Sequence, residues 1–152
     1  MPTSAPNFPV SGPWSASQAD AFLRDAAIPL RLSCLRTDGF PLVASHWFSW
    51  HDDALWIVIH QNAAVAKCLT REPRCGFEVC ADAPPYLGVR GQALSKPVPD
   101  KGRALLADLL LRYEIPREGH LGRWLLGRAD EEIAFRLDIV RLYTWDYRAR
   151  MR

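Results

Sequence analysis

The feature that most constrains the fold is a set of short runs of bulky, aromatic and β-branched residues separated by tight turns. Three such runs follow one another at residues 30–36, 42–50 and 55–60. Asp38-Gly39 is a strong hairpin signal between the first two runs, and His51-Asp52-Asp53 marks a second turn. This succession predicts an antiparallel meander.

The runs at 42–50 and 55–60 both carry apolar groups on their two faces. In the first run, Leu42, Ala44, His46, Phe48 and Trp50 lie on one face and Val43 and Trp47 on the other. A strand in an open sheet with one wet face would show a cleaner alternation. Burial on both faces therefore predicts a closed barrel whose outer wall is covered by a helix or by a second subunit.

Further strands are predicted at 75–81, 86–94 and 133–145, and helices at about 15–27, 63–71, 100–113 and 119–128. The first helix has Ser15 or Ser17 as its N-cap and the second has Asn62. Residues 1–15 contain four prolines and are predicted to form an extended N-terminal arm. Residues 16–152 show no repeat or linker, so we expect one α+β domain dominated by antiparallel strands.

Composition excludes several classes of protein. The 152 residues are 49% hydrophobic and 24% charged, which is ordinary for a globular chain and unlike a disordered or fibrous one. A net charge of +2 is too small for a non-specific nucleic-acid binder, so no nucleic-acid partner is expected. No apolar run is long enough for a membrane span, and the N-terminus does not resemble an export signal. We expect a cytoplasmic protein without a membrane partner.

The cysteine pattern argues against a metal site. The four cysteines, Cys34, Cys68, Cys75 and Cys80, form no CxxC pair. Cys75 and Cys80 lie five residues apart in a predicted strand, so their side chains point to opposite faces and cannot share one ion. The pattern favours thiols that are buried in the structure and do not bind metal.

Motifs for nucleophilic catalysis and for nucleotide-binding glycine loops are absent from the sequence. Two of the four histidines, His46 and His60, fall on predicted strands among aromatic residues. A histidine in that setting is more often a satisfied barrel residue than a catalytic base. The catalytic residues therefore stay unassigned.

One segment does suggest a binding site. Residues 56–67 read as a strand, a sharp turn and a short helix, and the start of a helix presents free N–H groups that suit an anion such as phosphate. Lys67, one turn into the helix, could reach the same place. On spacing alone, an ordinary connector helix with a solvated Lys67 is the favoured alternative.

Several segments resemble the pyridoxamine 5′-phosphate oxidase-like split-barrel flavoproteins over about residues 20–147. The matching segments are Arg31-Leu32-Ser33-Cys34-Leu35, Asp38-Gly39, residues 41–48, residues 69–74, residues 84–93 and residues 142–146. This resemblance implies a six-stranded split β-barrel with peripheral helices that forms a homodimer. It also implies two cofactor sites in the grooves between the subunits, with FMN as the usual cofactor, FAD or a deazaflavin in some relatives and none in others.

The resemblance also implies which residues hold the cofactor. The ring would lie against residues 45–48 and 59–61, and the phosphate would lie beside residues 62–67. The cofactor-binding residues that follow are Arg31, Ser45, His46, Trp47, His60, Gln61, Asn62, Lys67 and Trp145.

This sequence departs from the family at the phosphate helix. Where the family often has Ser-Arg-Lys, this chain has Ala63, Ala64 and Val65, and Lys67 is displaced by two residues, about 200° around the helix. Charged hydrogen bonds contribute roughly 1.5–3 kcal/mol each, so the loss would weaken phosphate binding by some 10- to 100-fold. The arginine set of the true oxidase is also incomplete, so oxidation of vitamin B6 is not expected.

Three hypotheses follow. The first is an FMN-dependent oxidoreductase that acts on a small molecule of unknown identity. The second is a non-catalytic dimeric module that holds a flavin or another small ligand. The third is a structural dimer with an empty site.

Overall fold

The computed structural model describes residues 6–152, and its sheet is built from eight strands. They are β1 (Val10–Ser11), β2 (Leu30–Leu35), β3 (Pro41–His46), β4 (Phe48–His51), β5 (Ala54–His60), β6 (Arg74–Cys80), β7 (Leu87–Val98) and β8 (Glu132–Asp146). The helices are α1 (Ala16–Asp25), α2 (Ala64–Arg71), α3 (Gly102–Arg112) and α4 (His120–Gly127). Two short 3-10 turns, Pro99–Lys101 and Ala129–Glu131, flank α3 and α4.

The sheet runs in the order β3-β2-β6-β7-β8-β5-β4, and every neighbouring pair on this path is antiparallel. β3 and β4 lie at the two ends of that order, yet only Trp47 separates them in sequence. The sheet must therefore curl until its ends meet at Trp47. The predicted α+β fold with an antiparallel curled sheet is confirmed; the count of six barrel strands and the dimer stay predictions.

The prediction of a single strand over 42–50 is wrong. The run is divided at Trp47, so that β3 pairs with β2 while β4 pairs with β5. The alternation of side chains continues through the break, which hides it from a reading of hydrophobic periodicity. The structural consequence is that one continuous run of sequence supplies both ends of the sheet.

The described part of the N-terminal arm lies on the last strand. β1 pairs in parallel with β8, and the indole N–H of Trp14 donates to the Asp146 carboxylate at 3.1 Å. Ser15 then caps α1 in a reciprocal capping box with Gln18, which confirms one of the two predicted caps. Residues 1–5 of the predicted arm lie outside the described residues.

Two apolar clusters explain why β5 is buried on both faces. The main core fills the curled sheet and includes Phe48, Ile57, Phe135 and Leu137, all fully buried. A smaller cluster lies under α3, where Ala54, Trp56 and Ala134 meet Leu105 and Leu109. The expectation that a helix covers the outer wall is therefore confirmed for β5. The outer face of β3 differs, because Val43 is 65% exposed there.

The junction between β3 and β4 is held by the end of α3. Tyr113 stacks on Trp47 with ring centroids 5.3 Å apart. The Tyr113 hydroxyl accepts a hydrogen bond from the Phe48 backbone N–H at 3.2 Å and donates one to the Ile28 carbonyl at 2.9 Å. Next to it, the Arg112 guanidinium donates to three carbonyls at the end of α1, those of Leu23, Arg24 and Ala26. One tyrosine therefore joins the start of β4 to the segment that leads into β2.

We predict that Tyr113→Phe lowers the free energy of unfolding by about 1–3 kcal/mol, because it leaves the Phe48 N–H and the Ile28 carbonyl without their partner while keeping the stacked ring. Urea unfolding measures the change. Tyr86→Phe, at a more exposed tyrosine, is the matched control and should shift the free energy by less than about 0.5 kcal/mol. Equal effects of the two substitutions would contradict this role of Tyr113.

Candidate functional site

The turn that joins β5 to α2 leaves the start of the helix open. The prediction that Asn62 caps α2 is wrong: the N-cap is Ala63, and no side chain caps the helix. The backbone N–H of Asn62 donates instead to His60 Nδ1 at 3.1 Å, and that of Gln61 donates to the Glu131 carbonyl at 2.8 Å. The first turn of α2 therefore has N–H groups that no side chain satisfies, as an anion seat requires.

The side chains of the β5–α2 turn and of α2 divide into an exposed group and a buried group. Gln61, Asn62 and Lys67 are exposed, with Lys67 one turn into α2. Val65 and Ala66 of the same helix are buried against the main core. Burial of these two residues fixes the helix on the sheet, so that its first turn stays beside the end of β5.

A cavity of about 260 Å³ lies beside the start of α2, beneath α3 and α4; we call it the compartment. It is lined by His46, Trp47, Val58, Ile59, His60, Ala63, Leu106, Leu109, Leu125, Arg128 and Glu132. A second hollow of about 230 Å³ is lined by Pro29, Ser45, His46 and Trp47. Because both share His46 and Trp47, the structure brings four predicted site residues together at the junction: Ser45, His46, Trp47 and His60.

Arg31 is also joined to this group. It lies on β2 opposite Ser45, and its Nη1 donates to the Ser45 hydroxyl at 3.1 Å. Its Nη2 lies 3.8 Å from the Asp82 carboxylate. Arg31 is therefore tied to Ser45, which lines the hollow, although Arg31 itself does not line it.

Trp145 lies elsewhere in the same protomer. Glu132 at the start of β8 pairs with His60, whereas Trp145 near its end pairs with Gly88. A strand rises about 3.3 Å per residue, so the path along β8 from Glu132 to Trp145 is roughly 40 Å. Its indole contacts Tyr147 at 5.4 Å, and its Nε1 is buried without a hydrogen-bond partner. Within one protomer, Trp145 lines neither the compartment nor the hollow at Ser45.

Sequence reasoning missed the ion pair that forms one wall of the compartment. Arg128 Nε lies 3.0 Å from Glu132 Oε1, and the guanidinium also covers the Trp124 ring at 4.4 Å. The Glu132 side chain is only 5% exposed. Both residues fall at element ends, where charged side chains are usually solvated. Their i,i+4 spacing was the signal that could have shown the pair.

The histidines of the site differ in their surroundings. Burial lowers the pKa of His46, which favours its neutral form, and its Nε2 is buried without a partner. His60 accepts from the Asn62 N–H at one ring nitrogen and lies 3.5 Å from Glu131 at the other. His60 is therefore held in place by its own turn, while His46 keeps one nitrogen unsatisfied.

The thiols lie outside this group. Burial raises the pKa of Cys34 to about 11 and that of Cys75 to about 12, so neither is a reactive thiolate near neutral pH. Within residues 6–152, no three histidine, cysteine or acidic side chains gather as a metal site would require. No helix in that same range has the length and apolar character needed to cross a membrane.

No protein-family model matches the sequence. No curated protein matches it either. Solved structures do match. A conserved hypothetical protein from Mycobacterium tuberculosis has a TM-score of 0.75 at 20% identity, over 90% of this chain and 87% of that one. An F420 reductase has a TM-score of 0.69 at 20% identity, over 79% of this chain and 92% of that one.

A third similar structure is an FAD-binding protein from Mesorhizobium loti, with a TM-score of 0.61 at 20% identity, over 85% of this chain and 92% of that one. A candidate pyridoxamine 5′-phosphate oxidase also has this fold. The predicted resemblance to the pyridoxamine 5′-phosphate oxidase-like split-barrel proteins is thus confirmed at the level of the fold. Identities this low do not carry over a substrate or a reaction.

Proposed function

We propose that the chain is a flavin-dependent oxidoreductase of the split-barrel group, with FMN as its cofactor and a small molecule as its substrate. The observation that carries the proposal is that Ser45, His46, Trp47 and His60 meet beside the uncapped start of α2. The fold supports it, because structures with this fold include an F420 reductase and an FAD-binding protein.

The residues present fit an anionic cofactor with a planar ring. The first-turn N–H groups of α2 would bind the phosphate, helped by the positive end of the helix dipole and by Lys67. The ring would lie against residues 45–48 and 59–61, and Arg31 and Asn62 would border it. FMN supplies the hydride chemistry when bound, and the protein supplies orientation and electrostatics.

A second copy of the chain would complete the site. The outer face of the sheet carries the exposed apolar side chains Val43, Leu94 and Val140. Two shallow hollows on this face, of about 450 and 560 Å³, share Ser33, Gly76 and Gln92. Exposed apolar side chains on one sheet face suit an interface between subunits. We propose that it is the homodimer interface, and that Trp145 serves the site of the other subunit.

We also propose that the barrel has six strands. If β3 and β4 are taken as two halves of one bent strand and β1 as an addition to the edge, the barrel has the six strands of the split-barrel group. The shared junction at Trp47 supports this reading, because both halves come from one uninterrupted run of sequence.

The alternative function is a non-catalytic dimeric module that holds FMN, FAD, a deazaflavin or another small ligand. The uncharged first turn of α2, with Ala63, Ala64 and Val65, favours the form of this alternative in which the ligand carries no phosphate, because no side chain there clamps one. The two functions share one site and differ in whether the bound ring passes electrons on.

We predict that the purified protein binds FMN, which flavin absorbance, mass spectrometry of the bound compound and titration of flavin-free protein would measure. Rapid bleaching of the bound flavin by a reduced nicotinamide, followed by transfer to an acceptor, indicates an oxidoreductase. Binding without bleaching indicates the non-catalytic module. A colourless protein that no flavin or deazaflavin titrates would overturn the oxidoreductase and every flavin-holding form of the alternative.

We predict that Lys67→Glu weakens FMN binding at least tenfold, because it places a carboxylate beside the proposed phosphate seat. Fluorescence titration of flavin measures the dissociation constant. Lys96→Glu makes the same charge change on an exposed lysine of β7 and is the matched control, for which binding should stay within about twofold. An unchanged dissociation constant for Lys67→Glu would reject this seat.

We predict that Val43→Asp converts the protein to a monomer and weakens FMN binding more than tenfold, because it places a charge in the proposed interface. Light scattering after gel filtration gives the mass, and titration gives the affinity. Leu111→Asp is the control: this leucine on α3 is 70% exposed and lies off the sheet face. A dimer that survives Val43→Asp would place the interface elsewhere.

A further inference from the structure

A cavity beside α1 shares no residue with the proposed cofactor site. It has a volume of about 300 Å³ and is lined by residues of α1, of the N-terminal arm and of the β4–β5 hairpin; we call it the α1 cavity. None of its lining residues lines the compartment or the hollow at Ser45. It also lies by the opposite end of β5, because Trp50 of its wall pairs with Leu55 and not with the end at His60. A molecule in the α1 cavity would therefore leave the cofactor site free.

The inner wall of the α1 cavity is apolar. Ala19, Leu23 and Leu142 are all buried there, and Trp50 is only 6% exposed. The Phe8 ring of the N-terminal arm meets Trp50 edge-on, with ring centroids 6.4 Å apart. A volume of about 300 Å³ is at the lower end of the range for small-molecule sites. The wall therefore suits an apolar body of the size of one ring.

The polar side of the α1 cavity carries more negative than positive charge. The charged residues in its lining are Asp20, Arg24 and Asp53. Asp20 and Arg24 pair along α1 at 2.8 Å. Asp53 takes part in none of the ion pairs formed within residues 6–152. Two carboxylates thus share one guanidinium, and a cation that enters the cavity would balance the second carboxylate.

Hydrogen bonds hold the Asp20 carboxylate in place. Its Oδ1 accepts from Trp50 Nε1 at 2.8 Å and from Arg24 Nη2 at 3.1 Å, while its Oδ2 accepts from Arg24 Nε at 2.8 Å. Burial alone would raise the pKa of Asp20, but the hydrogen bonds from Arg24 and Trp50 hold it below its usual value, so the group is ionised at neutral pH. Because each carboxylate oxygen has two lone pairs, Oδ2 can accept one more donor.

We propose that the α1 cavity binds a small primary amine, whose ammonium group pairs with Asp53 and Asp20 Oδ2 and whose apolar body lies against Phe8 and Trp50. The carboxylates select for charge, because a neutral head group forms no ion pair and an anionic one is repelled. The aromatic rings favour the same ligand, since a cation is attracted to the face of such a ring. This site goes beyond the proposed function, and neither depends on the other.

The test is isothermal titration calorimetry of the purified protein at neutral pH with 2-phenylethylamine, 2-phenylethanol and phenylacetate, which share one ring and differ in charge. We expect the amine to bind with a dissociation constant of about 0.1–1 mM, usual for a ligand of about nine non-hydrogen atoms. It should bind at least fivefold tighter than the alcohol and at least tenfold tighter than phenylacetate. Equal binding of the amine and either other ligand, or no binding of the amine at about 5 mM, would overturn the proposal.

One variant tests the ion pair. Asp53→Asn keeps the size of the side chain and suits the left-handed backbone of this turn, where φ is 54°, but it removes the charge. We expect about fivefold weaker binding of 2-phenylethylamine and no more than a twofold change for 2-phenylethanol. Asp52→Asn is the matched control: Asp52 has a φ of 53°, is exposed and does not line the cavity, so binding of the amine should stay within about twofold. Equal effects of the two substitutions on amine binding would contradict the proposed ion pair.

A second variant tests the position of the apolar body. Ala16 is half-buried at the start of α1 and lines the cavity, so Ala16→Leu fills part of its volume. We expect it to weaken the binding of the amine and of the alcohol at least fivefold. Ala21→Leu, on an exposed part of α1 outside the lining, is the control and should bind both as the wild type does. Thermal unfolding checks that each variant is folded, and unchanged binding by Ala16→Leu would place the amine elsewhere and overturn the proposal.

The outcomes for the amine and for the cofactor are distinguishable. We expect the affinity for FMN to stay within about twofold when 2-phenylethylamine is saturating, because the two sites share no residue. Displacement of bound FMN by the amine would place the amine in the cofactor site and overturn the proposal. A protein that binds the amine as expected and no flavin would keep the α1 cavity as a ligand site and reject the proposed function.

Discussion

The contact of Tyr113 with the junction at Trp47 is the interaction on which the rest of the structure depends. A sheet that curls until its ends meet has to interrupt its ladder of hydrogen bonds somewhere, and here the interruption falls between β3 and β4. The tyrosine hydroxyl accepts the hydrogen bond from the Phe48 N–H that a neighbouring strand would otherwise accept, and the tyrosine ring stacks on Trp47. Buried backbone groups without partners are costly, and Tyr113 of the α3 end supplies the partner of Phe48. Closure of the sheet is therefore coupled to the docking of α3.

The candidate site is a consequence of that interruption. Ser45 and His46 are the last residues of β3, and they lie where the regular ladder stops and side chains are free to face a cavity. The end of β5 arrives at the same place, which adds His60 and the start of α2. The gap in the hydrogen-bond ladder between β3 and β4 is thus the place that can hold a ligand. Helices α3 and α4 cover this gap from outside.

Much of the fold could be predicted from the sequence, because apolar periodicity and turn residues are local signals. Two-sided burial of residues 55–60 correctly indicated an outer cover. The break at Trp47 could not be found, since side-chain alternation continues through it, and neither could the N-cap at Ala63, which has no capping side chain to mark it. Arg128 and Glu132 were missed because both lie at element ends, where charged side chains are usually solvated, although their i,i+4 spacing was a local sign of the pair.

The position of β8 determines how the chain can be made. This strand lies between β7 and β5 and also receives β1, so both halves of the sheet are joined only through it. During synthesis, the strands β1 to β7 leave the ribosome before β8, which connects the two halves of the sheet. The edges that β8 covers stay unpaired until residues 132–146 have emerged. Long-range pairing of this kind folds slowly and invites aggregation. Until β8 has formed, the edges of β7 and β5 that it joins have no strand partner.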